Sequence, residues 1–541
     1  MHIRFVIAAT LLCGAIAASA QVREQITVEA VDVPVYVFSK GKPVRHLSKG
    51  DFELFVNGKP QPMDYFETVD FAAPPAAAAA SPQSTPFSAG RGQPELRDRR
   101  LFLFLFDLIF TSPEGAIDRS RRAAVEMVDH ALPGDFFAVA IVTRTRIEFV
   151  TPFLRDHDAV RRAILKLGPS AAHDALGISI TGAEREMSQA FMSLSEGSGG
   201  GGRAGGEDPL PDILASAKTD EREYVLLVAR EEMGWFGQLA SRLRGLEGFK
   251  HIILFSEGFP VDPERQFSDV KSMAASFQSA DVYLHAVDLT PIATGAADAK
   301  SVSSAPSRTP GAFVGENVAM VANPNAVSGA RAPAVPPSEN ESLLWISNAT
   351  GGSWIHWTNL IAPALNELST SYGAVYRLGF KPLSARKGHN EIAVKVKNLP
   401  SGAKVSFRKG FDGTVPAKAV PDPLLLADII QNDVPQSGTP PEISVVDGGV
   451  DVIVPVIQLS REYGAVDGAS VMLYVFDSKG IAVLSSEKTF KIPEHAAADR
   501  VIQQKLDLAP GNYFAKVLMR AGDSLAFAKE PFEIEAGQPA Q

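Results

Sequence analysis

The sequence has little cysteine and no excess of basic residues. Among 541 residues the only cysteine is Cys13, near the N-terminus. The rest of the chain therefore has no thiol for a disulfide, a thiolate metal site or a cysteine nucleophile. The 52 lysines and arginines are outnumbered by 62 aspartates and glutamates, and the formal net charge is -10. We expect no nucleic-acid partner, because phosphate contacts require clustered basic side chains.

Long hydrophobic runs are also missing after the N-terminus. Residues 1–20 place Arg4 before an apolar run that ends in Ala18-Ser19-Ala20, which is typical of a signal peptide and its cleavage site. No later stretch is as long and apolar as a membrane-spanning helix, so we expect a chain that does not span the membrane. The sequence predicts export to the periplasm or the extracellular space.

Motifs of common catalytic sites are absent as well. There is no Gly-x-Ser-x-Gly, His-Glu-x-x-His or Walker motif. His251 and His285 lie on neighbouring predicted strands, but their apolar flanks favour partnered core histidines over a metal pair. Trp345, Trp354 and Trp357 are interpreted as packing residues rather than as a sugar-stacking surface. We therefore predict that the protein is not an enzyme.

What the sequence does contain is a β-rich chain with one central α/β block. The predicted fold class is α/β plus all-β, a doubly wound and mostly parallel sheet inserted in or flanked by β-sandwich domains. The predicted segments are a signal peptide at 1–20, a β segment at 22–72, a low-complexity linker at 73–98, an α/β domain at 99–373 with disordered insertions at 195–210 and 291–340, a β segment at 374–412 that joins 22–72 in one β domain, and a C-terminal β-sandwich at 424–536.

Within these segments, periodicity predicts individual elements. LFLFLF at 101–106 is apolar on both sides, as expected of a central parallel strand. A helix is predicted from about Pro113 to Ala131, with Thr111 or Ser112 as its N-cap. Residues 424–536 read as almost wholly β, including VDVIVPVIQL at 450–459.

Several segments together resemble a bacterial family. They include KGKPVRHLSKGDFELFVNGKPQPMDYF, LPGDFFAVAIVT, HIILFSEGFP and NATGGSWI, and the likeness extends over about residues 22–412. These pieces resemble the von Willebrand factor type A (VWA) related proteins of acidobacteria. The resemblance implies a Rossmann-like VWA domain and a role as a binding scaffold.

The resemblance also implies where a metal would bind. Type A domains hold a divalent cation with an Asp-x-Ser-x-Ser motif after the first strand and an aspartate from a later loop. Here Asp107 and Thr111 keep the outer positions, Ile109 replaces the middle hydroxyl, and Glu257 stands in the later loop. The candidate metal residues are therefore Asp107, Thr111 and Glu257, in a degenerate site. No cofactor is expected, with Mg²⁺ as the alternative. The other interpretation is that Asp107 ends the strand, Thr111 and Ser112 cap the helix and Glu257 is a solvated loop acid.

These observations predict an exported, non-catalytic protein-binding or scaffold protein. We expect its partner to be a protein of the cell envelope or the exterior, bound at the rim formed by residues 107–114 and 256–264. One alternative is a structural envelope component without a discrete ligand. Another is a metal-dependent hydrolase that uses Asp107, Glu257 and a nearby histidine.

Overall fold

The structure is a computed structural model that describes most of the chain after residue 30. The described residues are 31–72, 94–111, 115–167, 210–262, 265–290, 341–356, 358, 360–382, 388–413, 422–446 and 448–535. The predicted signal peptide, residues 73–93 of the predicted linker, and the predicted insertions up to residue 209 and at 291–340 lie outside them.

The described residues form strands that belong to five sheets, together with nine α-helices and a 3₁₀ turn at Lys49–Asp51. The strands are β1 (Val31–Ser39), β2 (Lys42–Pro43), β3 (Phe52–Val56), β4 (Lys59–Gln61), β5 (Tyr65–Asp70), β6 (Arg100–Asp107), β7 (Asp135–Val142), β8 (Ile147–Leu154), β9 (Phe249–Ser256), β10 (Val282–Asp288), β11 (Trp354–Ile355), β12 (Ala374–Phe380), β13 (His389–Val396), β14 (Lys404–Phe407), β15 (Gly410–Asp412), β16 (Glu442–Val446), β17 (Gly449–Val454), β18 (Val466–Asp477), β19 (Ala482–Ile492), β20 (Arg500–Lys505), β21 (Gly511–Ala521) and β22 (Ser524–Ile534). The helices are α1 (Pro94–Arg97), α2 (Ala116–Asp129), α3 (His157–Lys166), α4 (Leu210–Leu243), α5 (Phe267–Ser279), α6 (Glu341–Thr350), α7 (Ile361–Ser371), α8 (Pro423–Asn432) and α9 (Val456–Tyr463).

The central sheet has six strands in the order β11-β10-β9-β6-β7-β8. Its strands are parallel except β8, which pairs antiparallel with β7. Strand β6 lies in the middle and is buried along its whole length. This mixed sheet with parallel strands and helices on both faces confirms the α/β prediction at the level of fold class.

The sequence LFLFLF divides its side chains between the two faces of this sheet. The three leucines of β6 pack in one core with α4, α5 and α6. Its three phenylalanines pack in a second core with α2, α3 and α7. The alternation follows from the two-residue period of a strand. It gives each helical layer its own set of contacts with β6.

Strands from both sides of the α/β block pair with each other. β1 pairs antiparallel with β12 and with β14, β12 pairs with β5, and β3 pairs with β13. The resulting sheets, β14-β1-β12-β5 and β15-β13-β3-β4, share one apolar core. Residues 31–72 and 374–412 therefore form a common β region from which the α/β block extends.

The C-terminal region differs from its prediction as an almost wholly β segment. Two sheets, β16-β17-β20 and β19-β18-β21-β22, share a core, but α8 and α9 also lie within 424–536. The run at 450–459 was predicted as one strand, and this is wrong after Val454. Pro455 has no backbone N–H to donate to a ladder, and it precedes the first residue of α9.

Helix α8 joins the C-terminal sheets to the α/β block. Its residue Leu424 is buried in the core of the α/β block, whereas Ile429 and Ile430 pack against the sheet that contains β18 and β21. Asp428 accepts two hydrogen bonds from the Arg99 guanidinium, at 3.0 and 2.6 Å, and both side chains are buried. The two regions are thus connected by apolar packing and by a buried ion pair.

Candidate functional site

Asp107 ends β6 on the face of the sheet that is covered by α4. It continues the alternation of Leu101, Leu103 and Leu105, and its side chain is completely buried. Its Oδ1 accepts hydrogen bonds from the N–H groups of Ile109 at 2.8 Å and Phe110 at 3.1 Å. The carboxylate therefore fixes the turn that follows the strand.

Two other polar side chains lie beside Asp107 at the carboxyl edge of the sheet. The Ser256 hydroxyl, at the end of β9, donates to Asp107 Oδ2 at 2.6 Å and accepts from Gly258 N–H at 2.9 Å. Asp288, at the end of β10, is opposite Ser256 in the ladder. Three neighbouring strands therefore end in polar residues on the same face, where doubly wound sheets place their ligands.

Thr111 does not cap the following helix, as one interpretation of the sequence predicted. α2 begins at Ala116, its N-cap is Gly115 with φ of 79°, and residues 112–114 lie outside the described residues. The positive φ favours glycine at this position. Thr111 is instead buried, and within the described structure its hydroxyl has no hydrogen-bond partner.

Glu257 and Ile109 complete the comparison with the predicted metal site. Glu257 is half-buried rather than fully solvated, and its charge contributes to raising the pKa of Asp107. Ile109 is buried in the core that also contains Met233 and Phe259, so an apolar side chain fills the position of the expected hydroxyl. Among the described residues, no group of three or more histidine, cysteine, aspartate or glutamate side chains is arranged to hold a metal ion.

Glu232 on α4 is the residue that sequence reasoning missed. Its neighbours on the buried stripe of the helix are Ala229, Met233 and Phe236, but Glu232 itself is also completely buried. In the described structure neither of its carboxylate oxygens has a hydrogen-bond partner. The signal in the sequence was an acid at an apolar position of a 3,4-spaced stripe.

The electrostatics connect Glu232 to Asp107. Burial, followed by the negative charge of Asp107, raises the pKa of Glu232 well above its usual value. Burial also raises the pKa of Asp107, although the Ser256 hydroxyl and two backbone N–H groups oppose that shift. No basic side chain of the described residues is among the causes of either shift. An unpaired buried carboxylate costs several kcal/mol, so the pair needs a proton or a cation nearby.

The oxygen atoms at this position suit a hard cation in their chemistry. Asp107 and Glu232 supply carboxylates and Thr111 supplies a hydroxyl, and such oxygens are the ligands that Mg²⁺ and Ca²⁺ prefer. The unpartnered atoms are the two oxygens of Glu232 and the hydroxyl of Thr111. Glu232 was not in the predicted ligand set, and among the described residues these acids are not part of any group of three or more that could hold a metal ion.

The two histidines lie on the opposite face of the sheet from Asp107. Ser353 N–H donates to His285 Nδ1 at 3.1 Å, His285 Nε2 lies 3.1 Å from His251 Nδ1, and His251 Nε2 lies 3.1 Å from the hydroxyl of Tyr36. The backbone donor places the His285 proton on Nε2, facing His251. Both are partnered core histidines, as predicted. Burial lowers both pKa values, that of His285 to about 3.

The tryptophans give no sugar-binding platform within the described structure. The Trp354 ring stacks on His356 with centroids 3.8 Å apart, and Trp354 also packs on the core of the α/β block. Trp357 lies outside the described residues. His356 is close enough to Asp288 to oppose the effect of burial, which raises the pKa of that aspartate.

Comparisons with known proteins give only low similarities. No family model matches the chain, and no curated protein matches it. A von Willebrand factor type A structure from Catenulispora acidiphila is 10% identical, with a TM-score of 0.26, over 81% of this chain and 66% of that one. Three N-terminal domains of the type V pili tip protein Mfa5 from Porphyromonas gingivalis are 10% identical, with a TM-score of 0.21, over 87% of this chain and 96% of that one. These values are too low to support a family or a function.

Within the described residues, no helix is both long enough and apolar enough to cross a bilayer.

Proposed function

We propose that this chain is an exported, non-catalytic binding or scaffold protein of the VWA-related type, whose α/β block contacts a protein partner of the envelope or the exterior. One observation carries the proposal. Asp107, Ser256 and Asp288 end three adjacent strands on one face, at the edge where loops can vary without disturbing the sheet. Export rests on the pattern of residues 1–20 in the sequence.

The same edge offers little to a hydrolase. The Ser256 hydroxyl is buried and is committed to Asp107 and to Gly258 N–H. His251 and His285, which could act as bases, lie on the other face and are held by Tyr36 and by Ser353 N–H. A nucleophile and its base must lie within hydrogen-bond reach of each other, and these side chains do not.

The partner surface is proposed to be the rim, meaning residues 107–114 and 256–264. Phe110, Pro260 and Val261 are partly exposed there, and Arg265 follows directly with its side chain 70% exposed. Such a mixture of apolar and charged groups suits a protein contact. Because Ile109 fills the position of a ligand, we propose that the partner contact does not use a metal ion as a bridge.

Cross-linking in an envelope extract tests this proposal. The full-length mature chain should cross-link to a specific protein through the rim, and Arg265→Glu should reduce capture by about tenfold, the loss of about 1.4 kcal/mol of binding energy. The matched control is Lys491→Glu in the C-terminal region, where the side chain is 82% exposed, and it should leave capture unchanged.

The other outcomes separate the alternatives. Cross-links confined to the C-terminal sheets would move the partner site there. Co-sedimentation with the envelope without any specific cross-link would favour a structural component. Hydrolysis of a peptide, ester or phosphate substrate that is lost in Asp107→Asn would overturn the non-catalytic assignment.

A further inference from the structure

The two packed C-terminal sheets differ in size by one strand. The sheet β16-β17-β20 has three strands, and the sheet β19-β18-β21-β22 has four. Because β16 lies against β22 at one side, β20 lies over β18 at the other, and β19 extends past the smaller sheet. Within the described residues no strand pairs with the outer edge of β20, and the strand position beside it, over β19, is open.

The inward face of β19 shows the same opening. Val471 on β18 is buried, whereas its cross-strand partner Lys488 on β19 is exposed. Leu473 is buried, whereas its partner Ser486 is only half-buried. Directly opposite residues of an antiparallel pair share one face of the sheet. The apolar core therefore stops between β18 and β19 at these two positions.

The outer edge of β20 offers backbone groups to a further strand. Leu506 N–H donates to the carbonyl oxygen of Gly448 at 2.9 Å, and in this antiparallel register every second residue of β20 bonds to β17. Val501 and Gln503 are the intervening residues, so their N–H and C=O groups point away from β17. Proteins often protect such an edge with a proline or a bulge, and β20 has neither.

We propose that an extended segment of a partner protein, with an acidic side chain facing Lys488, adds to β20 as a fourth strand and covers β19. An acid fits because Lys488 and Arg500 both lie on inward faces, with the Arg500 guanidinium 5.2 Å from the centre of the Phe490 ring. Neither β19 nor β20 has an acid on its inward face. In strand addition, main-chain hydrogen bonds supply affinity and alternate side chains supply specificity.

A second copy of this chain does not fit the open position. If the β20 strands of two copies paired about a twofold axis, the overhanging β19 of each copy would occupy the place of β18 in the other. The occupant is therefore a strand without a second sheet behind it. This site lies on other sheets than the rim, and the inference goes beyond the proposed function because its test uses a synthetic peptide and no envelope partner.

Peptide binding to the full-length mature chain tests the site. The probe is a fluorescein-labelled peptide, Ser-Thr-Val-Thr-Glu-Thr-Val-Thr-Ser, which places Val, Glu and Val on one face of a strand. We expect saturable binding by fluorescence anisotropy. Hydrogen exchange of the β20 backbone should be fast at Val501 and Gln503 in the free protein and slow with the peptide bound.

A proline tests the backbone pairing. Gln503→Pro removes an N–H that points at the added strand and that β17 does not use, so it should weaken peptide binding at least about tenfold. Gln503→Thr is the matched control, because it also replaces the side chain but keeps the N–H, and it should bind as the wild type does.

A charge reversal tests the inward acid and does not depend on the folding of the proline variant. Lys488→Glu should weaken binding about fivefold, and a peptide with lysine in place of its glutamate should recover the loss. Lys491→Glu makes the same change of charge on the outward face of β19, where the side chain is 82% exposed, and should leave binding unchanged.

Three results overturn the proposal. The first is that the peptide does not bind, or binds without slowing exchange in β20. The second is that Lys488→Glu and Lys491→Glu weaken binding equally. The third is that Val501 and Gln503 are already protected from exchange in the free protein. Protection that depends on protein concentration would identify a second copy as the occupant, and protection that does not would identify a segment of this chain.

Discussion

Strand β6 begins and ends with a buried charge, and the two ends of the strand differ in how that charge is compensated. At the start, Arg100 donates to both oxygens of Asp135 at 2.8 and 2.7 Å, and to the carbonyl oxygen of Ser369 at 2.9 Å. At the end, Asp107 accepts from two N–H groups and a hydroxyl, and after burial its negative charge helps to raise the pKa of a second acid, Glu232. The amino end has an ion pair, whereas the carboxyl end has two acids.

The difference extends to the surroundings of each end. Near the amino end, Arg99 is paired with Asp428, and the histidine pair connects Ser353 to Tyr36. These contacts join the central sheet to the flanking β region and to α8. Satisfied polar groups of this kind stabilise a fold, whereas unsatisfied ones mark places where function competes with stability. The contrast is consistent with the proposal that the carboxyl end of the sheet carries the function.

The largest effect should come from breaking the ion pair at the amino end. Asp135→Ala leaves the Arg100 guanidinium without its carboxylate in a buried position, because the side chains of the pair are 1% and 2% exposed. We expect a loss of about 3 to 5 kcal/mol in the free energy of unfolding. Urea denaturation of the full-length protein measures it. A loss below about 1 kcal/mol would show that the amino end is not stabilised as described.

The next effect concerns the residue that separates Asp107 from Thr111. Ile109→Ser exchanges a buried apolar side chain for a small polar one, and we expect a loss of about 2 to 4 kcal/mol from the cavity and from the lost burial. Urea denaturation measures this as well. Unchanged stability would mean that Ile109 does not belong to the core and that its position is open to a ligand.

A smaller effect should appear in the pH dependence of stability. The folded-state pKa of both histidines is lowered, that of His285 to about 3, so the unfolded chain binds more protons below its own histidine pKa of about 6.5. The stability contributed by the neutral imidazoles is therefore complete above about pH 6.5 and is lost as the pH falls towards the folded values. Below about pH 6.5, each histidine contributes a slope of about 1.4 kcal/mol per pH unit to the plot of the free energy of unfolding against pH.

Replacing one histidine should remove its share of that slope. His285→Phe is expected to reduce the slope by about 1.4 kcal/mol per unit between about pH 6 and about pH 5, as measured by urea unfolding at each pH. His495→Phe, at an exposed position, serves as the control and should leave the slope unchanged. Equal slopes for His285→Phe and the wild type would show that His285 is protonated in the folded protein.

The smallest effect should come from an ion pair that water surrounds. Lys491 and Asp467 lie 3.0 Å apart, with side chains 82% and 85% exposed. Asp467→Ala is expected to change the free energy of unfolding by less than about 0.5 kcal/mol. Because this pair has a distance similar to that of Arg100 and Asp135, the contrast between the two variants isolates burial as the cause. If Asp467→Ala and Asp135→Ala lost the same free energy of unfolding, burial would not explain the strength of the Arg100–Asp135 pair.

Local patterns predicted many elements correctly. The patterns SKGK at 39–42 and NGKP at 57–60 predict hairpin turns, and Gly41 and Gly58 have positive φ there, where glycine has no steric cost. The pattern PGNY at 510–513 predicts a turn followed by a tyrosine that buries its ring and finds a partner for its hydroxyl, and the Tyr513 hydroxyl donates to the carbonyl oxygen of Ala509 at 2.7 Å. Each of these features depends on neighbours close in the sequence.

The errors arose where two local signals competed. The start of α2 was predicted from the caps Thr111 and Ser112. In the structure, the N–H groups of Ile109 and Phe110 donate to the carboxylate of Asp107, and Gly115 is the N-cap of α2. The apolar run at 450–459 fits a strand and a buried helix equally well by periodicity. The structure divides it at Pro455.

The sequence by itself determined the faces of β6, because a strand alternates its side chains and LFLFLF assigns leucines to one side and phenylalanines to the other. By the same alternation it also determined that Asp107 shares the leucine face. Only the tertiary structure decided that Glu232 lies against that face and that the histidines lie on the other. The approach of α4 to β6 depends on packing between segments far apart in the chain, and no local period records such a contact.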